Sequence, residues 1–378
     1  MKEVLLVGLG AVGGIYSLIL KRSGLARVTV AARSNYSIVN AEGLHFKSQK
    51  YGEITGWRPD RLTNSVAAAA DQAYSYVFLT TKCIPDVVKT PTLLAPLLSA
   101  PYADEHPQPV YVLMQNGLNV EKDLYDALKA LGKGEPRIVS SSVFIGTNLI
   151  APNVVGHNDF DRVTLGIYRP NDFTTTTNTP AEQAILDDVA GMLAAGGSTV
   201  AAVPEIQRRK FAKNFWNVGF SSFATLTGYP VPALFRPAPG EAEYTPGTGE
   251  PPYAPYVFPK TARKIEEYSI RALREVLQEL VDLGRALGFP DTEDGLLSTL
   301  VESTIENTKR IQMSPTSKHI PSMLLDAQKG LPIEVEAIVG EVVRMAQERG
   351  VKVPRIELLY ALLLVKQNQI LREQAEKA

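Results

Sequence analysis

The sequence is poor in cysteine and histidine, and neither sign of charge predominates. A single cysteine, Cys83, excludes a disulfide framework and a paired-cysteine metal site. Lysine plus arginine number 39 against 40 aspartates and glutamates, so no overall basic field attracts nucleic acid or an anionic membrane. A zinc site would require several of the four histidines to converge: His45, His106, His157 and His319. We therefore expect no metal, nucleic-acid or membrane partner.

The apolar run near the N-terminus is short for a membrane span. Val4–Leu20 contains 17 uncharged residues after Lys2, whereas a spanning helix needs about 20. Four glycines interrupt the run, so a strand, a glycine turn and the start of a helix explain it better than a signal peptide does. We expect no targeting segment and a cytoplasmic location.

The length of 378 residues predicts two domains, and the composition, 45% hydrophobic and 21% charged, is typical of a globular protein. In residues 1–203, apolar strands alternate with helical stretches, which indicates βαβ units and a parallel, doubly wound sheet. The predicted strands are Val4–Val7, Arg27–Ala32, Tyr76–Thr80 and Val110–Met114, with Ile138–Val143, Arg162–Ile167 and Ser198–Val203 extending the sheet.

Residues 204–378 have a different pattern. Helical periodicity predicts an all-α domain with helices at Gln207–Phe223, Lys264–Leu287, Glu293–Lys309, Ile333–Arg349 and Arg355–Gln374. The stretch Pro230–Pro259 is too rich in proline and glycine for a helix or a central strand, so we expect a loop or excursion there.

A glycine motif follows the first predicted strand. In VLLVGLGAVG, Gly8 permits a tight turn, Gly10 lets the backbone approach a pyrophosphate, and Gly13 allows the helix to pack on the strand. This context indicates a Rossmann-type dinucleotide site, although a glycine turn without a ligand is the alternative. The predicted cofactor-binding residues of this turn are Gly8, Leu9, Gly10, Ala11, Val12 and Gly13.

The residues after the second predicted strand indicate which dinucleotide binds. No acidic residue that could hold a ribose 2′-hydroxyl occurs before Glu42. Arg33 lies 20 positions after Gly13, where a guanidinium can pair with a 2′-phosphate. We predict NADPH/NADP+ as the cofactor; an ordinary surface arginine is the alternative. The natural place for a substrate is the cleft between the two predicted domains.

An ordered set of motifs along the chain resembles the 2-dehydropantoate 2-reductase (ketopantoate reductase) family. The resemblance implies NADPH-dependent reduction of 2-dehydropantoate to (R)-pantoate, on the route to pantothenate and coenzyme A. It also implies a Rossmann domain followed by a helical domain of the 6-phosphogluconate dehydrogenase type. The matching residues are Gly8–Gly13, Thr80-Thr81-Lys82, Gln115-Asn116-Gly117, Lys210 with Asn214, and Ser322–Asp326 followed by Glu334.

The resemblance implies that Lys210 is the general acid. Hydride delivery to a ketone carbon leaves negative charge on the oxygen, and a nearby ammonium group can donate the proton. Asn214, four residues on and so on the same helix face, is implied to bind the substrate. On local sequence alone, Lys210 could instead belong to a solvated basic face with Arg208, Arg209 and Lys213.

Four further residues receive roles only from the resemblance. Asn116 is implied to face the nicotinamide and the substrate, and Lys82 to approach the cofactor. Ser322 is implied to bind the substrate carboxylate, and Glu334 to act in catalysis by contacting the cofactor and Lys210. Local sequence also allows simpler explanations: Asn116 could be a turn residue and Lys82 a surface lysine. Ser322 could be a helix N-cap, and Glu334 a carboxylate favoured by a helix dipole.

The sequence departs from the family at two places. Relatives usually carry a second asparagine four residues after the first on the lysine helix, where this chain has Val218. Asn217 is a candidate substitute for substrate binding, although a one-residue shift turns a helix by about 100°. The excursion Pro230–Pro259 is also longer than a compact reductase needs. These departures make a reductase of another 2-keto acid the alternative, and a non-catalytic NADP(H) sensor is a third hypothesis against which the retained Lys210, Asn116, Ser322 and Glu334 argue. The long helices fit a homodimer or a single-subunit core equally well.

Overall fold

The computed structural model describes residues 1–240 and 253–377. The chain folds into two compact units, Met1–Lys210 and Phe211–Ala378. The sequence predicts a boundary after residue 203, a few residues before this division, and helix α8 (Ile206–Trp216) runs through it.

Within the described residues, the N-terminal unit contains one ten-stranded mixed sheet. Its spatial order is β4-β3-β9-β8-β7-β6-β1-β2-β5, and β10 pairs with β9. The strands are β1 (Lys2–Val7), β2 (Ala26–Ala31), β3 (Leu44–Ser48), β4 (Gly52–Trp57), β5 (Arg61–Thr63), β6 (Tyr76–Leu79), β7 (Val110–Leu113), β8 (Ile138–Ala151), β9 (Val154–Ile167) and β10 (Thr199–Ala202).

The central strands are parallel and largely buried, as their mostly apolar sequences predict. Val4, Leu5 and Leu6 of β1 are inaccessible to solvent, and β1 pairs in parallel with β2 and β6. The helices of this unit are α1 (Ala11–Arg22), α2 (Tyr36–Glu42), α3 (Thr90–Leu93), α4 (Ala95–Leu98), α5 (Tyr102–Glu105), α6 (Lys122–Leu131) and α7 (Pro180–Ala195). The predicted α/β doubly wound class is confirmed.

The outer part of the sheet differs from the sequence prediction in extent. β8 and β9 form an antiparallel pair of 14-residue strands, far longer than the two apolar segments that predicted them. In their outer halves most residues are exposed or half-buried, so the sequence there has no continuous apolar run that would predict a strand. The sequence did not predict β3, β4 and β5: β3 is only partly buried, β4 has no buried residue, and β5 has three residues, so none of them gives a continuous apolar run.

The C-terminal unit is helical in its described residues, which confirms the predicted all-α class. Its helices after α8 are α9 (Ser222–Thr227), α10 (Pro232–Phe235), α11 (Ala262–Lys264), α12 (Arg271–Ala286), α13 (Leu300–Gln312), α14 (Ser322–Gln328), α15 (Glu341–Arg349) and α16 (Pro354–Ala375). π-helical turns at Asn217–Ser221 and Ile265–Ile270 join α8 to α9 and α11 to α12, and a third, Glu336–Gly340, extends α15 at its N-terminus.

The predicted helix Glu293–Lys309 begins too early, because α13 starts only at Leu300. The preceding segment folds back on itself instead: the carboxylate of Asp291 accepts a hydrogen bond from the Ser298 amide at 2.8 Å. A Cβ at Gly295 would lie 2.1 Å from the Pro290 carbonyl oxygen, so the turn requires glycine at that close approach.

The predicted excursion Pro230–Pro259 is only partly described. Residues 241–252 of it lie outside the described residues, and Pro232–Phe235 forms one helical turn that the loop prediction missed. Proline at the first helical position explains that turn, because its missing N–H is not needed there. In residues 1–240 and 253–377 we find no helix that is long and apolar enough to cross a membrane.

Candidate functional site

The glycine turn after β1 has the close packing that its sequence predicts. Gly8 has a φ of 102°, which favours glycine. A Cβ at Gly13 would lie 1.9 Å from the Gly8 carbonyl oxygen, so only glycine allows α1 to start this close to the strand. The Thr80 hydroxyl donates a 2.6 Å hydrogen bond to the same carbonyl oxygen and ties the turn to the end of β6.

The middle of the glycine turn is open. Apart from its chain neighbours, a Cβ at Gly10 would meet no atom of residues 1–240 and 253–377 within 4 Å, and α1 begins there without a side-chain cap on its first amides. The neighbouring Leu9 is buried, whereas Ala11 and Val12 are half-buried. Uncapped amides at a helix N-terminus beside an open backbone attract a phosphate group. This turn therefore fits the pyrophosphate of a dinucleotide.

Arg33 lies just beyond β2 and is exposed. Among the described residues its guanidinium makes no hydrogen bond or ion pair. Asn35 fixes this segment beside the glycine turn, because its amide donates to the carbonyl oxygens of Leu9 at 2.8 Å and Pro152 at 3.2 Å. Arg33 can therefore meet an anionic group without first breaking an ion pair.

The loops after β6 and β7 are joined at the carboxyl edge of the sheet. Gln115 donates a 3.1 Å hydrogen bond to the Thr81 carbonyl oxygen. Lys82 is exposed in the first loop, and Asn116 is half-buried in the second. The structure thus brings both predicted residues to the sheet edge where open α/β folds bind ligands, as the sequence predicts.

Helix α8 begins on a buried carboxylate that fixes its first turn. Glu205 accepts hydrogen bonds from the backbone amides of Gln207 at 2.9 Å and Arg208 at 2.7 Å. Burial raises the pKa of Glu205, although these amides and the Arg208 charge oppose the shift. The Arg208 side chain donates to the Phe173 carbonyl oxygen at 3.1 Å. The start of the helix that carries Lys210 is therefore anchored to the N-terminal unit.

Lys210 is buried, with 4% of its surface exposed, so the alternative of a solvated basic face is wrong for this residue. Its ammonium group donates a hydrogen bond to Oε1 of Glu121, which is itself 0% exposed. The Ser140 hydroxyl donates to the same oxygen. Glu121 is not among the site residues predicted from the sequence; its one signal is an acidic residue directly before a helix, five residues after Asn116. Contact of Glu334 with Lys210 stays a prediction.

Asn214 has a half-satisfied side chain in the C-terminal unit. Its amide nitrogen donates a 2.8 Å hydrogen bond to the Ile338 carbonyl oxygen, within the π-helical turn Glu336–Gly340. Its Oδ1 is buried and has no hydrogen-bond partner among the described residues. Such an acceptor can take a hydroxyl or amide hydrogen of a ligand. Asn217 is half-buried at the start of its own π-helical turn, beside the fully buried Val218.

Ser322 and Glu334 each lie at the start of a helical segment of the C-terminal unit. Ser322 is exposed and is the first residue of α14, whereas Pro321 occupies the N-cap position, so the simple N-cap explanation is wrong. Glu334 is buried just before a helical segment. Glu336 is engaged elsewhere, with Arg344 at 2.7 Å and the Tyr360 hydroxyl at 2.6 Å. Burial and that hydrogen bond raise the pKa of Tyr360 to about 12.

No set of three or more His, Cys, Asp or Glu side chains is arranged to hold a metal ion in the part of the chain that the structure describes. The candidate residues of the N-terminal unit lie in the glycine turn, at Arg33, in the loops after β6 and β7, and at Lys210. Those of the C-terminal unit are the polar side chains that follow Lys210 along the chain.

Two of the curated relatives align with nearly the whole chain over most of their own length. An uncharacterized protein of Saccharomyces cerevisiae is 26% identical over 98% of this chain and 95% of its own length. The 2-dehydropantoate 2-reductase of a Nostoc species is 24% identical, over 95% of this chain and 93% of its own.

Solved structures share the fold. The 2-dehydropantoate 2-reductase of Methylococcus capsulatus is 23% identical and has a TM-score of 0.72 over 97% of each chain. A D-mandelate dehydrogenase, solved with NADH and anilino(oxo)acetate, is 17% identical and has a TM-score of 0.69 over 97% of this chain and 99% of its own. The family model for ketopantoate reductase PanE/ApbA matches residues 4–170, and the model for the ketopantoate reductase PanE/ApbA C terminal matches residues 260–367. This chain therefore belongs to the ketopantoate reductase PanE/ApbA family.

Proposed function

We propose that this protein reduces 2-dehydropantoate to (R)-pantoate with NADPH, a step toward pantothenate and coenzyme A. Membership of the family supports the coarser statement that the chain is an oxidoreductase that acts on a 2-keto acid with a nicotinamide cofactor. The observation that carries the finer proposal is the buried Lys210 on helix α8. Its ammonium group is held by Glu121, and the start of α8 is anchored to the N-terminal unit, which also contains the glycine turn.

The cofactor proposal depends on the glycine turn and on Arg33. The open backbone at Gly10 and the uncapped start of α1 suit the pyrophosphate, and the exposed Arg33 suits the 2′-phosphate that distinguishes NADPH from NADH. Lys82, Asn116 and Glu334 would complete the contacts to the cofactor. When bound, NADPH would supply the hydride that reduces the C2 ketone.

Lys210 would supply the proton. As the ketone carbon gains the hydride, its oxygen gains negative charge and takes a proton from the Lys210 ammonium group. The product is an alcohol, and the neutral amine then recovers a proton from solvent. A cation in a water-poor site stabilises that developing charge more strongly than it would in water.

Polar side chains of the chain would hold the substrate. The free Oδ1 of Asn214 can accept a hydrogen bond from a substrate hydroxyl, since its amide nitrogen is already occupied by Ile338. The exposed Ser322 would donate to the substrate carboxylate, and Asn116 and Asn217 would contribute further hydrogen bonds. The roles of Asn116, Asn214 and Ser322 follow from the resemblance to the family, whereas Asn217 is a candidate substitute for the family's second asparagine.

A reductase of another 2-keto acid is the second candidate. Val218, which replaces the family's second asparagine, is completely buried and offers no hydrogen bond. A D-mandelate dehydrogenase also shares this fold, so the fold itself does not select the substrate. A non-catalytic NADP(H) sensor would not require the Lys210–Glu121 pair.

The test follows NADPH absorbance with the purified protein and a panel of 2-keto acids that includes 2-dehydropantoate and an aryl 2-keto acid. We expect the highest kcat/KM with 2-dehydropantoate, and a lower value when NADH replaces NADPH. Faster turnover of another 2-keto acid would reassign the substrate and keep the mechanism. Tight NADPH binding without any turnover would support the sensor.

A further inference from the structure

Glu121 is a buried carboxylate at the carboxyl edge of the sheet. It directly precedes α6, in the loop after β7 that also carries Asn116. Its Oε1 accepts hydrogen bonds from Lys210 Nζ and from Ser140 Oγ, whose strand β8 pairs with β7 at Leu113. Its Oε2 is buried and has no hydrogen-bond partner among residues 1–240 and 253–377.

The location of the Lys210–Glu121 pair says more about its role than its contribution to the free energy of unfolding does. Removing two charges from water costs several kcal/mol per ion, and their attraction roughly repays that cost, so a buried pair adds little net stability. Its certain effect is geometric. A lysine side chain has four rotatable carbon–carbon bonds, and one buried carboxylate restricts its ammonium group to one place.

We propose that Glu121 is a positioning residue for Lys210: it holds the ammonium group beside the loop that carries Asn116, while Ser140 fixes the carboxylate. This inference rests on the proposed function, in which Lys210 donates the proton. Glu121 itself forms and breaks no covalent bond. Its replacement should therefore slow proton donation without changing how the cofactor binds.

The kinetic test is a double-mutant cycle with Glu121→Gln, Lys210→Ala and the combined variant. Glu121→Gln keeps the shape and removes the charge, and we expect kcat to fall about 10–100-fold, the size of effect that misplacement of a reacting group produces. The KM for NADPH should change less than about twofold. Because Glu121 acts through Lys210, the combined variant should be no slower than Lys210→Ala alone. An unchanged kcat in Glu121→Gln, or effects that multiply in the combined variant, would overturn the proposal.

A matched control distinguishes positioning from general loss of a buried ion pair. Asp161 is also 0% exposed and pairs with Lys50 at 2.8 Å in the same unit. Asp161→Asn should lower the melting temperature but leave kcat near that of the wild type. An equal loss of kcat in both carboxylate variants would show that Glu121 acts only through stability.

Two milder variants keep the test valid if Glu121→Gln does not fold. Glu121→Asp retains the charge with a shorter side chain, and Ser140→Ala removes only the hydroxyl that fixes the carboxylate. We expect a several-fold lower kcat in each, again without a change in the KM for NADPH. Wild-type kcat in both variants would contradict the proposal.

Chemical labelling tests the placement separately from the reaction. Acetic anhydride modifies free amines, so peptide mass analysis should show slower acetylation of Lys210 than of the exposed Lys47 in the wild type. Glu121→Gln should speed acetylation of Lys210 several-fold and leave Lys47 unchanged. Equal rates at Lys210 in both proteins would refute the placement. If the wild type reduces no 2-keto acid, the proposed function fails while this labelling still decides whether Glu121 holds Lys210.

Discussion

At the scale of single residues, Arg33 tests the cofactor preference. Because its exposed guanidinium makes no ion pair among the described residues, Arg33→Ala should remove only its contact to the 2′-phosphate. Hydrogen bonds to charged groups contribute about 1.5–3 kcal/mol, so the KM for NADPH should rise about 10–100-fold while that for NADH stays nearly constant. Steady-state kinetics with both cofactors measures this difference.

The matched control for Arg33 is Arg27, an exposed arginine at the opposite end of β2 that pairs weakly with Glu3 at 3.7 Å. Arg27→Ala should leave both KM values unchanged. If Arg33→Ala raises the KM for NADPH and the KM for NADH equally, Arg33 does not bind the 2′-phosphate.

Gly10 provides a second residue-scale prediction. Because an added Cβ has no atom of the described part of the chain within 4 Å beyond its chain neighbours, Gly10→Ala should fold with a melting temperature close to that of the wild type. The methyl group would occupy the space predicted for the pyrophosphate and should weaken NADPH binding at least several-fold, as measured by fluorescence titration. Gly191→Ala, at another open glycine within α7, should bind NADPH normally. Normal binding by Gly10→Ala would contradict the placement of the cofactor.

Single-residue predictions succeed where local conformation determines the outcome. The spacing of Gly8 and Gly13 predicts the tight turn because a side chain at either position would collide with nearby backbone. Glu121 was missed because its partner Lys210 lies 89 residues away, and no local pattern indicates such a pair.

At the scale of elements, the packing of β3 against β9 predicts a pH effect on stability. His157 on β9 bonds to Ser48 of β3 at 2.9 Å through Nδ1, and its Nε2 donates to the Phe160 carbonyl oxygen at 3.0 Å. Burial lowers the pKa of His157 below its usual 6.5. The unfolded chain therefore binds a proton that the folded chain does not, and stability should fall as the pH falls below about 6.5.

The variant His157→Gln should lose part of this pH dependence. Between about pH 7.5 and about pH 5.5, its melting temperature should decrease less than that of the wild type. Burial also lowers the pKa of His319, so His319→Gln should reduce the pH dependence in the same direction. An unchanged pH dependence in His157→Gln would show that this imidazole is equally protonated in both states.

Elements are predictable from sequence in proportion to their burial. The four parallel strands β1, β2, β6 and β7 are mostly apolar and buried, and their bounds were predicted to within one or two residues. β4 has no buried residue and gives no such signal. The π-helical turns within the predicted helices were also missed. Their hydrogen bonds span five residues instead of four, and such turns depend on tertiary contacts such as the hydrogen bond from Asn214 to the Ile338 carbonyl oxygen.

At the scale of the whole molecule, NADPH should stabilise the folded chain by mass action. A ligand at 100 times its Kd adds about 2.7 kcal/mol to the free energy of unfolding, which raises the melting temperature by several degrees. NADPH should give a larger increase than NADH at equal concentration, because only NADPH carries the phosphate group that Arg33 would bind. Equal increases from the two cofactors would contradict the predicted preference.

The overall architecture was predictable because the two halves of the sequence have different periodicities. Alternating strands and helices before Pro204 and helical periodicity after it predict an α/β unit and an α unit, both of which the structure contains. The substrate was not predictable from such patterns. It depends on a few polar side chains, such as Asn217 beside Val218, whose hydrogen bonds form only with the ligand.

The most direct test of the central claim compares Lys210→Ala with the wild type, using NADPH and the best 2-keto acid of the panel. General acid catalysis contributes about 10²–10⁴-fold, so kcat should fall by that factor while the Kd for NADPH changes little. A Lys210→Ala variant that keeps wild-type kcat would contradict the assignment of Lys210 as the proton donor.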